Sequence, residues 1–102
     1  MALTYSTYLN LDELLNLQRP QSHGRAHDEM LFIVMHQTCE LWFKEILHEV
    51  DRLGMCLELR ERAVAHSTLK RTVSILKVLV SQMDILETMT AAQFLTFRSL
   101  LG

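Results

Sequence analysis

Turn formers are scarce in this sequence. Its 102 residues include three glycines and one proline, which excludes collagen-like and low-complexity chains. No alternating apolar and polar run is bounded by turn residues, so little is present from which to build a sheet. A dominant charge is missing too: ten Lys and Arg against twelve Asp and Glu give a net charge of −2. Such a chain generates no field for holding a polyanion, and nucleic acid is not an expected partner. The longest uninterrupted apolar run, Met30 to Met35, is far short of the about 20 residues a membrane-spanning helix needs. Met1-Ala2-Leu3-Thr4-Tyr5 has neither the basic start nor the long apolar middle of a secretion signal. A cytoplasmic chain with no membrane partner is the expectation. Cysteine is sparse as well: Cys39 and Cys56 have no Cys-x-x-Cys partner and read as buried, reduced thiols.

What is present is helix. Hydrophobic residues make up 49% of the chain and recur at helical spacing through long stretches free of breakers. The fold class is all-α, and the length suits a single helical domain over residues 1–102. A short helix is expected over Leu11 to Gln18, with Asn10 as its cap and Glu13 in the capping-box position. Residues 18–25, Gln-Arg-Pro-Gln-Ser-His-Gly-Arg, form a loop. A long helix follows from His27 or Asp28 to about Leu53, with Asp28 and Glu29 at its positive end and Gly54 near its close. A second occupies much of Cys56 to Leu86, where Leu69, Val73, Leu76, Val80 and Met83 recur at spacings of three and four; whether residues 60–67 continue or interrupt it stays open. Thr90-Ala91-Ala92-Gln93 has the form of a capping box opening a last helix to about Leu101, with Gly102 at its end. The two long helices are expected to pair as an antiparallel hairpin whose broad outer apolar faces meet further protein. The end at Leu100-Leu101-Gly102, without a polar tail, suggests a piece of a longer chain.

Several polar side chains interrupt apolar stripes. Phe32, His36, Cys39 and Phe43 share one helical face, and His36 is its only strongly polar member. That histidine reads either as a core residue hydrogen-bonded to a neighbour or as a neutral imidazole that accepts a proton or hydrogen bond from a bound substrate. Arg98 shares a face with Phe94 and Leu101. It reads as a guanidinium that snorkels to solvent or as a fork for a substrate carboxylate. Tyr5 and Tyr8, three residues apart, are packing residues or pocket-lining aromatics with hydroxyls to offer. Glu45-Ile46-Leu47-His48 has the Glu-x-x-His spacing of di-iron bundles, but only one copy is present. With Glu49 and Arg52 it reads as a solvated helix face, and no metal site is assigned.

Together these residues fall into a family pattern. Leu3-Thr4-Tyr5-Ser6-Thr7-Tyr8-Leu9, the run from His27-Asp28-Glu29 to His36-Gln37-Thr38, Glu40-Leu41-Trp42-Phe43-Lys44, and Leu86-Glu87-Thr88-Met89-Thr90 through Phe97-Arg98 resemble tryptophan 2,3-dioxygenases. The resemblance covers essentially the whole chain, in order. It implies a mostly helical, homotetrameric enzyme with haem b that uses O2 to cleave the indole C2–C3 bond of L-tryptophan, giving N-formylkynurenine, the first step of the kynurenine pathway.

The resemblance also implies residue roles. His36 sits on the distal side of the haem and accepts the indole N–H; Phe32 packs near indole and haem; Arg98 pairs with the substrate carboxylate. Phe94 and Leu101 line the pocket, and Tyr5 and Tyr8 complete that of a neighbouring subunit. These roles suit a substrate with an apolar indole, one N–H donor and a charged end, while the reaction itself belongs to the haem iron. Family members carry Phe or Tyr at the place of Phe94, so no phenolic hydroxyl there is essential. The family's proximal haem ligand is expected beyond residue 102, since none of His23, His27, His48 or His66 matches its motif. Two other readings compete: a non-catalytic helical tryptophan-binding or oligomerisation module without haem, and an unrelated helical interaction domain.

Overall fold

The computed structural model describes residues 2–98. Five helices follow one another, α1 (Tyr5–Tyr8), α2 (Leu11–Leu14), α3 (Glu29–Glu58), α4 (Arg62–Leu86) and α5 (Ala91–Arg98). No strand occurs among the described residues, so the fold is all-α. The chain divides into two compact units, Met1–Val34 with Thr90–Gly102, and Met35–Met89. α3 gives its opening residues to the first unit and the remainder to the second.

In the first unit, a helical turn precedes the one the sequence suggests. Thr4 caps α1, accepting the Thr7 N–H at 3.2 Å, while Thr7 Oγ1 accepts the Thr4 N–H at 2.9 Å; two threonines make the reciprocal box usually closed by Glu or Gln. Asn10 does not cap α2 with its side chain. It takes a left-handed conformation, φ 53°, and its N–H reaches the Thr7 carbonyl at 3.3 Å, which makes it the terminator of α1, a place that tolerates Asn better than most residues. α2 closes at Leu14 instead of reaching Gln18. Asn16 Nδ2 and Gln18 Nε2 occupy the carbonyls of Asp12 and Leu14 at 2.7 and 2.9 Å, the acceptors that a continuing helix would need for its own backbone.

The loop before α3 is tied to that helix by Glu29. Its carboxylate, only 2% exposed, accepts the N–H of Gln21 at 2.7 Å and of Ser22 at 2.9 Å. Ser22 Oγ in turn accepts the Ala26 N–H at 3.3 Å, and both Ser22 and Ala26 are buried.

The second unit is an antiparallel hairpin. Its buried and half-buried positions on α3 include Met35, Trp42, Glu49 and Cys56, seven residues apart, with Thr38, Glu45 and Leu53 between them. On α4, after half-buried Val64, they are Ala65, Thr68, Thr72, Ile75, Leu79, Gln82 and Leu86, the steps from Ala65 onward alternating three and four as in a coiled-coil seam. Polar seam residues are satisfied: Cys39 Sγ donates to Gln82 Oε1 at 3.1 Å, and Thr68 and Thr72 donate to carbonyls one turn back. Leu69, Val73, Leu76, Val80 and Met83, the stripe that stands out in the sequence, lie outside this seam and are 47–71% exposed. The face toward α3 is the smaller and more polar one, which hydropathy alone does not select.

α3 runs through Gly54 and ends at Glu58. The chain then turns through Arg60, left-handed at φ 58°. The Arg60 N–H bonds to the Leu57 carbonyl at 3.3 Å and that of Glu61 to the Cys56 carbonyl at 2.8 Å, the paired bonds of a Schellman close. The expected second helix therefore begins at Arg62, not Cys56, with residues 59–61 as the interruption. Both cysteines are free thiols, Cys56 buried and Cys39 half-buried.

Candidate functional site

In the first unit α5 carries an aromatic cluster. Phe94 and Phe97 are one turn apart and meet Phe32 of α3: ring centroids lie 6.1 Å apart for Phe32 and Phe94, 5.1 Å for Phe32 and Phe97, and 5.7 Å for Phe94 and Phe97. The last two pairs meet edge to face, the arrangement that the ring quadrupole favours. Phe97 is wholly buried, while Phe32 and Phe94 are half-buried. Phe97 is thus the keystone, and Phe32 and Phe94 keep ring surface available to a ligand. Sequence reasoning singled out the outer two and missed the inner one, although the three-residue spacing of Phe94 and Phe97 places both on one helical face.

Arg98 is the last described residue of α5, one turn beyond Phe94, and is exposed. Its guanidinium is an unburied, permanently charged fork on the short helix that also carries Phe94 and Phe97. The α5 terminus itself is set by Thr90, whose Oγ1 accepts the Gln93 N–H at 3.2 Å. The other half of the expected capping box is made elsewhere: Gln93 Oε1 accepts the Asp28 N–H at 3.1 Å.

The remaining singled-out residues are distributed as follows. Tyr5 and Tyr8 lie on α1, 76% and 70% exposed. His36 lies on α3, one turn beyond Phe32 in that helix, and its residue is exposed. Leu101 lies outside the described residues. In the second unit, Glu45, His48 and Glu49 bring one ligand atom each within 4.8 Å of one another. Glu49 is engaged by Arg71 at 3.3 Å, so a neighbouring cation already balances the buried carboxylate. A concavity of about 360 Å³ at the turn end of the hairpin is lined by Met55, Leu59 and Val64 with His48, Asp51, Arg52, Cys56 and Glu61. None of the residues read as substrate-facing borders it.

Among titratable groups Glu29 stands out. Burial pushes its carboxyl up, but the N–H of Gln21, the hydroxyl and N–H of Ser22 and the charge of His23 outweigh burial and hold it below the ordinary glutamate value. Its carboxylate is a structural anion that orders the loop leading into α3.

The family model of tryptophan 2,3-dioxygenase matches residues 1–102. This chain belongs to the tryptophan 2,3-dioxygenase family. It is 56% identical over 97 residues to the tryptophan 2,3-dioxygenase of Herpetosiphon aurantiacus, covering 95% of this chain and 37% of that protein. Identity to the Anaeromyxobacter sp. protein of the same name is 56% over 98 residues, 96% of this chain and 36% of the relative. For the Dictyostelium discoideum tryptophan 2,3-dioxygenase it is 48% over 105 residues, 95% of this chain and 26% of the relative. The chain therefore spans between about a quarter and two fifths of the length of these relatives. No helix among the described residues is long and apolar enough to cross a membrane.

Proposed function

We propose that this chain carries the substrate-facing part of a haem-dependent tryptophan 2,3-dioxygenase. The reaction uses O2 to open the indole C2–C3 bond of L-tryptophan and gives N-formylkynurenine, which opens the kynurenine pathway. The observation that carries the reading is the family match over residues 1–102, to which α5 adds an aromatic cluster and a guanidinium on one short helix.

The roles follow from substrate chemistry. Half-buried Phe32 is assigned to pack near the indole, Phe94 and Leu101 to line the pocket, the His36 imidazole to accept the indole N–H, and Arg98 to receive the carboxylate as a bidentate fork. Such a site favours tryptophan over an analogue lacking the carboxylate by the charge-assisted bonds that Arg98 then does not make. The exposure of Tyr5 and Tyr8 suits completion of a neighbouring subunit's site in a cytoplasmic homotetramer. Haem b, when bound, would have the exposed part of half-buried Phe32 to pack near it, and His36 is the residue we assign to its substrate side. Its iron ligand is proposed to come from the part of such an enzyme that follows residue 102, since none of His23, His27, His48 or His66 matches the family's motif. When bound, haem supplies the O2 chemistry, and the protein supplies orientation and polarity.

The test uses the haem-loaded enzyme that contains this sequence. Arg98→Lys is expected to weaken tryptophan binding about tenfold, roughly one charge-assisted hydrogen bond, while leaving tryptamine binding nearly unchanged. His36→Ala is expected to lower turnover with helix content intact. Unchanged tryptophan affinity in the first variant, or matching losses of structure and activity in the second, overturns the assigned roles.

A further inference from the structure

The N3 residue of α5, Gln93, spends its side chain on the start of another helix. In a complete capping box the N3 side chain returns to the N–H of its own N-cap, and for α5 that would join Gln93 to Thr90. Only the Thr90 half is made, Oγ1 accepting the Gln93 N–H at 3.2 Å. Gln93 Oε1 accepts instead from the backbone N–H of Asp28, 65 residues away in sequence, at 3.1 Å.

Asp28 is the residue that enters α3. Its carbonyl accepts the Phe32 N–H at 3.0 Å, the first bond of that helix, so Asp28 holds the N-cap position and its own N–H awaits a capping-box partner. The corresponding N3 residue of α3 is Leu31, which has no acceptor to give. The amide of α5 supplies what α3 lacks, and one capping box is thereby completed between two helices.

We propose that Gln93 is a positioning residue of the substrate site: its bond to Asp28 fixes α5, and with it Phe94 and Arg98, against the start of the helix that carries Phe32. The inference rests on the carboxylate role proposed for Arg98. Three features make the latch stiff. Phe97, in the turn after Gln93, is wholly buried between Phe32 and Phe94. Asp28 adjoins Glu29, whose carboxylate holds the preceding loop at Gln21 and Ser22. Gln93 itself is only half-exposed, so water competes weakly for its oxygen. The aromatic contact sets the distance between α5 and α3, but three rings leave α5 free to rock about Phe97. A directional hydrogen bond at 3.1 Å on the turn before removes that freedom, and a fork must be held to within a fraction of an ångström to grip a carboxylate with both nitrogens.

The test compares Gln93→Met, which keeps the length and removes the acceptor, with Gln93→Glu, which keeps an acceptor and adds a negative charge where two helix N-termini welcome it. In the haem-loaded enzyme containing this sequence, hydrogen exchange of the Asp28 amide is expected to quicken at least about tenfold in Gln93→Met and to return toward the parent rate in Gln93→Glu. In the same enzyme, Gln93→Met is expected to weaken tryptophan binding about tenfold, tryptamine binding much less, and Gln93→Glu to restore it. An unchanged Asp28 exchange rate in Gln93→Met, with helix content intact, overturns the latch. Faster exchange with unaltered tryptophan affinity, in an enzyme whose Arg98→Lys variant does lose affinity, overturns the positioning role and leaves the carboxylate assignment standing. If Arg98→Lys also leaves affinity unaltered, the carboxylate assignment fails and the positioning role falls with it. Equal damage from Gln93→Met and Gln93→Glu marks a merely structural position and rejects the inference.

Discussion

The carboxylate of Glu29 holds the backbone N–H of Ser22 at 2.9 Å while its second oxygen holds that of Gln21 at 2.7 Å. Both donors lie in the loop and the acceptor lies in the first turn of α3, so one buried anion joins the two. Glu29→Gln keeps one acceptor and turns the other into a donor facing an N–H. The substitution is expected to cost about 1–3 kcal/mol, the range for leaving a buried hydrogen-bonding group unmatched, as read from urea unfolding.

The same site sets an acid dependence. The Glu29 pKa is lower in the folded chain than in an ordinary glutamate, so its contribution is complete above the unfolded value of about 4.3. It is lost as the pH falls through the lower folded value. Exchange of the Gln21 and Ser22 amides, corrected for its intrinsic pH dependence, is expected to lose protection in the parent chain only at a pH below the ordinary glutamate value. In Glu29→Gln that step should be absent.

Arg60 is left-handed at φ 58°, in the place a Schellman close usually gives to glycine. Arg60→Gly is expected to raise stability by about 1 kcal/mol, the conformational cost that an L side chain carries there. Thermal unfolding checks this, and a fall in melting temperature would point to an unrecognised contact of the Arg60 side chain.

Gly54 presents the reverse case. It sits inside α3, and a Cβ added there meets nothing within 4 Å. Gly54→Ala is expected to stabilise the hairpin by about 0.5–1 kcal/mol through helix propensity, measured in the same melts.

Arg71 is the counter-charge for Glu49 in the hairpin seam at 3.3 Å, with side chains 58% and 5% exposed. Arg71→Met is expected to cost about 1–2 kcal/mol, below the value for a fully buried pair because the arginine reaches solvent. Adding Glu49→Leu should recover the loss, as replacing both partners removes the stranded charge; a double variant no better than the single one would deny the coupling.

The all-α class and the hairpin were legible because two stretches nearly free of Gly and Pro carry apolar residues at helical spacing. Element ends were less so. Gly54 reads as a terminator by composition, but a glycine stops a helix only where the backbone turns left-handed, and the turn came at Arg60. Leu11 to Gln18 reads as continuous helix because periodicity does not register that Asn16 and Gln18 divert the carbonyls that would extend it. At the candidate site Phe32, Phe94 and Arg98 were visible as residue types on helical faces. Phe97, Glu29 and the true partner of Gln93 were not, since each acts through a contact between segments far apart in sequence, and one sequence without coordinates holds no record of which segments meet.

The seam between α3 and α4 repeats every seven residues, from Met35 to Trp42, Glu49 and Cys56, whereas a straight helix returns to the same side only after a slightly longer interval. Over each repeat the mismatch amounts to about 20°, and keeping such a seam closed along both arms calls for a left-handed winding of the two helices. An extra residue within either arm would swing every later side chain by about 100°, exchanging Trp42 or Ile75 for a neighbour meant for the outside. At residues 59–61, between the two arms, a change of length would leave both arms in step.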